Sequence, residues 1–126
     1  MQINADFSAR VVLLPGQQQF VPSPLPGVSR VMLDRAGDEV ARATSLVRYA
    51  AGSGYSSHRH DGGEEILVLD GVFRDEFAEY PKGTWLRNPR YSSHTPFTGE
   101  TGALIYVKTG HLGANLLGDK FIAAFS

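Results

Sequence analysis

Residues 52–71 read GSGYSSHRHDGGEEILVLDG and contain two histidines, His58 and His60, followed by the carboxylate of Glu64. On a strand, a spacing of two places both imidazoles on the same face. Asp61-Gly62-Gly63 is a turn signal, because glycine readily adopts the positive φ of tight turns. A hairpin of this kind brings Glu64 back beside the histidines, and all three side chains are of kinds that bind first-row metals. Taken alone, the stretch is equally compatible with a surface hairpin that carries two solvated histidines.

A second stretch, residues 83–94, reads GTWLRNPRYSSH and ends in another histidine, His94. The chain has four histidines, and three of them fall in these two glycine-opened, strand-like segments. We therefore predict that the two segments form one metal site. The fourth histidine, His111, lies in a glycine-rich region outside both segments and is predicted to be an ordinary loop residue.

The two stretches together resemble the paired motifs of the cupin superfamily. The first reads G-x5-H-x-H-x3-E-x6-G over residues 52–71, and the second reads G-x5-P-x4-H over residues 83–94. The second motif departs from the family pattern in two places, with Tyr91 where glycine is usual and, four residues after His94, Thr98 where asparagine is usual. Neither position is a metal ligand in the family, so the departures leave the predicted ligand set intact.

Sequence runs outside the motifs are similar to one branch of the superfamily, the cupin domain of the anti-sigma factor ChrR and its small stand-alone relatives. The runs are PSPLPGV, EVARATSLVRYAAGS, HRHDGGEEILVLDGVFRDE, YPKGTWLRNP and SSHTPF, within roughly residues 3–110. The resemblance implies an all-β, cupin-type double-stranded β-helix, which is a jelly-roll barrel. It also implies that one divalent metal ion is bound by four side chains: His58, His60, Glu64 and His94.

Length and composition bound the remaining possibilities. With 126 residues, the chain is long enough for a single domain with one hydrophobic core. The net charge of −1 gives no basic excess for nucleic acid, and the apolar runs are far shorter than a membrane span. The absence of cysteine excludes disulfides and thiolate zinc sites. The first residues show no basic leader followed by an apolar stretch, so we expect a cytoplasmic protein.

Alternation of apolar and polar residues predicts strands, and no segment has convincing helical spacing. We expect a core at about residues 28–110, an N-terminal arm at 1–27 and a C-terminal tail at 111–126. The arm includes FVPSPLPG, whose prolines cannot donate to a sheet, so it is expected to lie extended along the barrel. Asp70-Gly71 is a strong hairpin dipeptide and is predicted to end a strand. The predicted strands are 11–14, 28–34, 40–49, 65–69, 72–80, 84–87, 102–108 and 121–125.

The strand that follows the first motif is apolar on both faces. Glu64, Ile66 and Val68 are predicted to share the metal side, and Leu67 and Leu69 then point the other way. That second face needs cover, which can come from the proline arm or from a second subunit. We therefore predict a homodimer.

The walls of the metal-side pocket are less well defined by the sequence. Tyr55, Trp85, Arg87 and Tyr106 are candidates for inward-facing residues, with ordinary barrel packing as the alternative for each. The arginines between residues 30 and 48 are interleaved with acidic residues and are predicted to lie on a solvated face. No catalytic acid or base can be assigned from the sequence.

Three histidines and one carboxylate suit Zn, Fe, Mn or Ni, and the sequence does not choose among these metals. We expect a regulatory or binding cupin that takes a small-molecule ligand. The alternative is a metal-dependent dioxygenase that acts on a small diketone or aromatic ketone, so enzyme activity is left open. Sigma-factor binding in ChrR-type proteins belongs to a separate helical, zinc-binding domain that these residues do not match, so this chain alone is not expected to bind a sigma factor.

Overall fold

The structure is a computed structural model that describes residues 1–37 and 41–113. In this part of the chain it contains nine strands and a short 3-10 turn at Pro15–Gln17, with no α-helix. The strands are β1 (Val21–Pro22), β2 (Val28–Ala36), β3 (Arg42–Tyr49), β4 (His58–His60), β5 (Glu64–Arg74), β6 (Glu79–Pro81), β7 (Trp85–Asn88), β8 (Ser92–His94) and β9 (Ala103–Thr109).

All strand pairs are antiparallel. Seven strands form one sheet in the order β1-β2-β3-β9-β5-β6, with β7 added through its pairing with β5. Strands β4 and β8 pair with each other and form a separate two-stranded sheet. The chain is therefore a single all-β domain, as expected from the alternating sequence pattern, and the histidine-bearing strands are partners in the small sheet.

The hydrophobic core is built from alternate residues of the long strands. On β5, Ile66 and Val68 are each only 1% exposed, and Glu64 shares their face. On β9, Ile105 faces Val68 directly across the pair and is also buried. Leu67 lies between the buried positions and is exposed, so the strand has the inner face and the outer face that the alternation predicted.

Strand β5 does not end at Asp70-Gly71, where the sequence predicted a hairpin. It continues to Arg74, and its pairing with β9 shifts by one residue between Val68 and Asp70. Gly71 has a φ of +71°, and a Cβ at this position would lie 1.9 Å from the carbonyl oxygen of Gly102. The irregularity between Val68 and Asp70 is a β-bulge, and Gly71, just after it, has the positive φ that a turn would also use.

The N-terminal arm lies against the edge of the large sheet, as predicted. Val21 and Pro22 pair with the first residues of β2, and the guanidinium of Arg48 lies 4.0 Å from the ring centre of Phe20.

The strand predicted at 11–14 is wrong: that segment has no strand partner in the described part of the chain, and Leu14 is 61% exposed. The strand predicted at 121–125 lies outside the described residues. The described residues also include no helix that could span a membrane.

Candidate metal centre

Strand pairing and one tight turn bring the two histidine-containing segments together. His58 of β4 lies opposite His94 of β8, and His60 lies opposite Ser92. The turn after His60 is closed by a hydrogen bond from the amide of Gly63 to the His60 carbonyl, and Gly63 has a φ of +76°. The backbone position of His58 is described, but its side chain lies outside what the structure describes.

Three of the four predicted ligands converge. His60 Nε2 is 3.1 Å from Glu64 Oε2, His94 Nε2 is 2.9 Å from Glu64 Oε1, and the two Nε2 atoms are 3.1 Å apart. The side chains of His94 and Glu64 are 2% and 7% exposed, so the cluster is screened from bulk water. His60, Glu64 and His94 therefore form a cluster of donor atoms that can hold a metal ion.

The separations between these atoms suit a coordinated metal. Imidazole nitrogens and carboxylate oxygens bind metals at about 2.0–2.2 Å. Two donors at right angles around an ion, with bonds of about 2.1 Å, are then about 3.0 Å apart. The three measured separations of 2.9–3.1 Å are close to this value. The two imidazoles and the Glu64 carboxylate are thus close enough together to hold one divalent ion between them.

The electrostatics of the cluster favour a charged carboxylate. Burial raises the pKa of Glu64, but the hydrogen bond from His94 and the positive charges of both histidines outweigh it, so the pKa is lowered overall. Asn88 adds a hydrogen bond from its Nδ2 to Glu64 Oε1 at 3.1 Å. For His94, burial lowers the pKa, but Glu64 and then Asp75 raise it overall. Glu64 is therefore held as an anion, the form that binds metal.

Asp75 lies behind His94, on the side of the ring that faces away from Glu64. Its Oδ2 atom is 3.6 Å from His94 Nδ1, and the carboxylate is 1% exposed. The other oxygen, Oδ1, accepts hydrogen bonds from the amides of Phe77 and Ala78 and from the hydroxyl of Tyr80. At this distance the carboxylate attracts a proton on Nδ1 electrostatically without a hydrogen bond, which favours the tautomer whose Nε2 is available to a metal. The sequence left the direction of Asp75 unsettled.

The two departures from the motif pattern are accommodated without disturbing the cluster. Tyr91 has a φ of +67°, the conformation that glycine adopts easily, and Arg59 and Arg90 stack on its ring. Thr98 is buried, and its hydroxyl donates to the carbonyl oxygen of Ala50 at 2.6 Å. The same hydroxyl accepts a hydrogen bond from the amide of Ser53. Thr98 thus ties together the loop that leads into β4.

A cavity of about 340 Å³ adjoins the cluster inside the barrel. Glu64 and His94 line one part of it, and the remaining wall is mainly aromatic and aliphatic. The lining includes Tyr49, whose hydroxyl stays neutral because burial, followed by electrostatic repulsion from Tyr55 and from the Glu64 carboxylate, raises its pKa. A second cavity of about 210 Å³ lies on the other side, beside His60 and the turn after it.

The four residues expected to form the pocket wall do not lie together. Tyr55 is among the residues that line the cavity of about 340 Å³. Trp85 and Arg87 pair with Leu67 and Glu65, the outward residues of β5, so they face away from the barrel interior. Tyr106 likewise lies opposite Leu67 and is not among the described residues that line either cavity. All three side chains lie on the outer face of the sheet, because β7 and β9 pair with β5 in this register.

Arg87 has a partner on that outer face. Its Nε and Nη2 atoms lie 2.8 and 2.7 Å from Glu65 Oε2, and its guanidinium stacks on Trp85. Glu65 also contacts the imidazole of His111. The hydrogen bond from His111 is the largest influence on Glu65 and helps to lower its pKa. His111 is thus a loop residue outside the metal cluster of the described side chains, as predicted.

Two cavity residues were missed by the sequence reasoning. Arg30 and Arg35 both line the cavity beside Glu64 and His94, although the sequence predicted a solvated face for them. Their odd spacing would place them on opposite faces of a regular strand. The pairing of β2 with β3 shifts between Met32 and Asp34, and the irregularity returns both arginines to the same side. No glycine or proline marks this irregularity in the sequence, so the pattern alone could not reveal it.

The sequence of residues 8–113 matches the family model described as the ChrR Cupin-like domain. A search of curated proteins finds no match. Among solved structures, Rhodobacter sphaeroides SigE in complex with the anti-sigma ChrR is similar, with 24% identity and a TM-score of 0.63. The match covers 76% of this chain and 51% of that one, so the chain spans about half the length of its counterpart.

Two further solved structures have the same fold. An RmlC-like cupin protein from Ralstonia eutropha is 15% identical with a TM-score of 0.70, and the match covers 80% of this chain and 68% of that one. An acetylacetone dioxygenase from Acinetobacter johnsonii is 18% identical with a TM-score of 0.68, over 88% and 81% of the two chains. The cupin-type jelly-roll expected from the sequence is therefore confirmed.

Proposed function

The chain belongs to the ChrR cupin-like domain family, and on that premise we propose that it is a metal-binding cupin module that holds a small ligand beside one divalent ion. The proposed metal ligands are His58, His60, Glu64 and His94. The observation that carries the proposal is the convergence of donor atoms from three of these side chains within 4.8 Å. A bound divalent ion would supply an open coordination position and a Lewis acid.

The residues around the ion have distinct tasks in this proposal. His60 and Glu64 are fixed by the β4–β5 turn, and Asp75 orients His94 from behind. Asn88 holds Glu64 through a hydrogen bond of 3.1 Å, which limits rotation of the carboxylate. The apolar side of the adjoining cavity excludes water and receives the carbon skeleton of a ligand. Four protein ligands leave two positions on a six-coordinate ion for donors from that ligand or for water.

A metal titration tests the proposal. Protein purified without a histidine tag is stripped of metal, and Zn(II) binding is followed by calorimetry. We expect one equivalent of tight binding, with affinity lowered at least about a hundredfold in His94→Ala and Glu64→Gln because each loses a ligand. The matched control is His111→Gln, which removes a histidine outside the cluster and should bind Zn(II) normally. Equal affinity in all four proteins would refute the site.

A second candidate function is a metal-dependent dioxygenase that acts on a small diketone or aromatic ketone. The observation that favours it is the cavity of about 340 Å³ beside Glu64 and His94, which gives a small organic substrate direct access to the cluster. The test loads the protein with Fe(II) and follows oxygen uptake with β-diketones and hydroxyacetophenones. Turnover that disappears in His94→Ala would make the dioxygenase the better proposal. If no oxygen is taken up with any of these substrates, the metal-binding module stays the better proposal.

We also propose that the protein is a homodimer. The supporting observation is an exposed apolar patch in which Leu67 of β5 pairs with Trp85 of β7, at 36% and 55% exposure. The apolar residues Val12 and Leu14 of the N-terminal arm are exposed as well. A second copy can cover these surfaces and remove apolar area from water.

That this chain alone does not bind a sigma factor also stays a prediction.

A further inference from the structure

The cavity beside the metal cluster contains a buried hydroxyl group that the metal-binding proposal does not use. It belongs to Tyr49, the last residue of β3, which is 5% exposed. The Tyr49 ring packs against the rings of Tyr55 and Phe73, with ring centres 6.0 and 5.6 Å away. All three residues line the cavity of about 340 Å³. Among the described residues, none forms a hydrogen bond with the Tyr49 hydroxyl.

This hydroxyl points into the barrel, toward the metal cluster. The backbones of Tyr49 and Glu64 are far apart, since the two residues pair with opposite ends of β9. The Glu64 carboxylate nevertheless contributes to raising the pKa of Tyr49, and such an effect weakens with distance. The side chain therefore extends across the interior. Its oxygen lacks a described partner without being sealed by protein atoms, so it opens onto the cavity.

A hydroxyl in this situation is unusual. Buried tyrosine hydroxyls normally have a hydrogen-bond partner, because burying a polar group without one is unfavourable. The ring of a phenylalanine would make the same contacts with Tyr55 and Phe73, so the packing does not require the oxygen of Tyr49. Ligand pockets typically combine apolar walls with a few polar groups that fix the orientation of the ligand. The Tyr49 hydroxyl matches that description, which indicates a role in binding.

The surroundings of the hydroxyl restrict the chemistry of its partner. Val47, two residues earlier on the same face of β3, lies opposite Ile105, and both line the cavity. The hydroxyl keeps its proton and donates it, so the partner supplies an acceptor. A ketone carbonyl has only lone pairs to satisfy, whereas an alcohol or an amide would bring a donor of its own among these apolar side chains.

From this arrangement we propose that the cavity binds a small neutral ketone whose carbonyl oxygen accepts a hydrogen bond from Tyr49. The carbon skeleton of the ketone lies against the apolar wall formed by Val47, Ile105 and the rings of Tyr55 and Phe73. Tyr49 thus selects ligands that carry a carbonyl group. The inference rests on the proposed ligand-holding function, because it names what that ligand carries, but the contact with Tyr49 needs no metal.

A pair of isosteric probes and one substitution test the proposal. Acetophenone and α-methylstyrene, in which a methylene group replaces the carbonyl oxygen, are titrated into the Zn(II)-loaded and the metal-free protein and followed by NMR. The same titrations are made with Tyr49→Phe, which removes the hydroxyl and keeps the ring. We expect this variant to bind acetophenone about fivefold more weakly and α-methylstyrene no more weakly. Comparing the two ratios cancels the different hydration of the probes.

Two further measurements separate a hydrogen bond from a packing effect. The infrared carbonyl band of bound acetophenone should lie at lower frequency in the unmodified protein than in Tyr49→Phe, and a purely structural role of the ring would leave it unchanged. The melting temperature of Tyr49→Phe should not fall, because the lost hydroxyl has no partner among the described residues. Tyr106→Phe is the matched control, since Tyr106 lies opposite Leu67 on the outer face, and it should bind both probes normally.

The outcomes distinguish this inference from the metal-binding proposal. Zn(II) binding without acetophenone binding, or an equal effect of Tyr49→Phe on both probes, would overturn the carbonyl contact and leave the metal site intact. Benzoate is titrated as well, because Arg30 lines the same cavity, and tighter binding of benzoate than of acetophenone would overturn the neutral class. Acetophenone binding that depends on Tyr49 in a protein that does not bind Zn(II) would instead refute the metal site and support the carbonyl contact.

Discussion

Replacing Asp75 by asparagine tests how the second motif presents His94. Oδ1 accepts three hydrogen bonds, including two from the amides of Phe77 and Ala78, so an acceptor must remain there. The amide nitrogen of the new side chain is therefore directed toward His94 Nδ1, where Oδ2 stood 3.6 Å away. The substitution removes the negative charge behind the imidazole and keeps the hydrogen bonds of the turn.

The expected magnitude follows from the length of this contact. Removing a partner of a metal-binding histidine typically costs 10–100-fold in metal affinity. The separation of 3.6 Å is longer than a hydrogen bond, so we expect the lower end, about tenfold, which equals about 1.4 kcal/mol. At a metal concentration a hundred times the unmodified dissociation constant, stabilisation falls from about 2.7 to about 1.4 kcal/mol. For a domain of 126 residues this lowers the melting temperature of the metal-bound form by about 5 °C.

The assay is calorimetric titration with Zn(II), together with thermal unfolding of the metal-free and metal-bound forms. The control is Tyr80→Phe, which removes one hydrogen bond to Asp75 Oδ1 and leaves the oxygen that faces His94. Tyr80→Phe should bind Zn(II) almost normally. Wild-type affinity in Asp75→Asn would refute the reasoning, and so would an equal loss in both variants, because that result would assign the effect to the turn.

Three further predictions address stability and assembly. A strong chelator should lower the melting temperature, since bound metal adds about 2.7 kcal/mol at a hundredfold excess over the dissociation constant; no change after confirmed metal loss would contradict this. Light scattering at micromolar concentration should give twice the chain mass of 13.7 kDa, and a monomer would exclude the proposed dimer. Gly71→Ala should cost about 2–3 kcal/mol in urea unfolding, because its Cβ would collide with the Gly102 carbonyl. Gly83→Ala is its control, because Gly83 also has a positive φ but no atom lies within 4 Å of the added Cβ; equal costs would contradict the proposed collision.

The metal cluster could be predicted because its geometry depends on local spacing. Glu64 follows the turn that closes on the His60 carbonyl, so chain connectivity alone brings these two ligands together. His94 comes from a distant strand, and its place in the cluster was predicted from the matching pattern of the second glycine-opened segment and from the family resemblance, not from local spacing. Its partner Asp75 had no such guide, since its strand parity did not indicate which side of the ring it would occupy.

It was harder to predict which side chains point into the barrel and which point outward. Residues two apart on a strand share a face, and Trp85 and Arg87 of β7 do so, opposite Leu67 and Glu65 of β5. The sequence could not indicate which face, because that depends on the partner strand and its register. Arg30 and Arg35 were assigned wrongly for a related reason. One irregularity in strand pairing reverses the parity of every residue beyond it, and the residues 32–34 carry no local signal of the change.

The dipeptide Asp70-Gly71 shows a different limit. A positive φ at glycine serves hairpin turns and β-bulges equally well, so the dipeptide indicates a change of direction but not its kind. What decides between them is the close approach of the Gly102 carbonyl from the neighbouring strand, a contact over thirty residues in sequence. Contacts of this range are set by the assembled sheet and are not visible in a local pattern.

The most direct test of the central claim is X-ray absorption at the zinc edge on tag-free protein loaded with one equivalent of Zn(II). The proposed set of His58, His60, Glu64 and His94 predicts three imidazole nitrogens and at least one oxygen at about 2.0–2.2 Å, with the multiple-scattering signal of the rings. The same measurement on His94→Ala should show one imidazole fewer. A spectrum with no more than one imidazole in the unmodified protein, or an unchanged spectrum in the variant, would contradict the account.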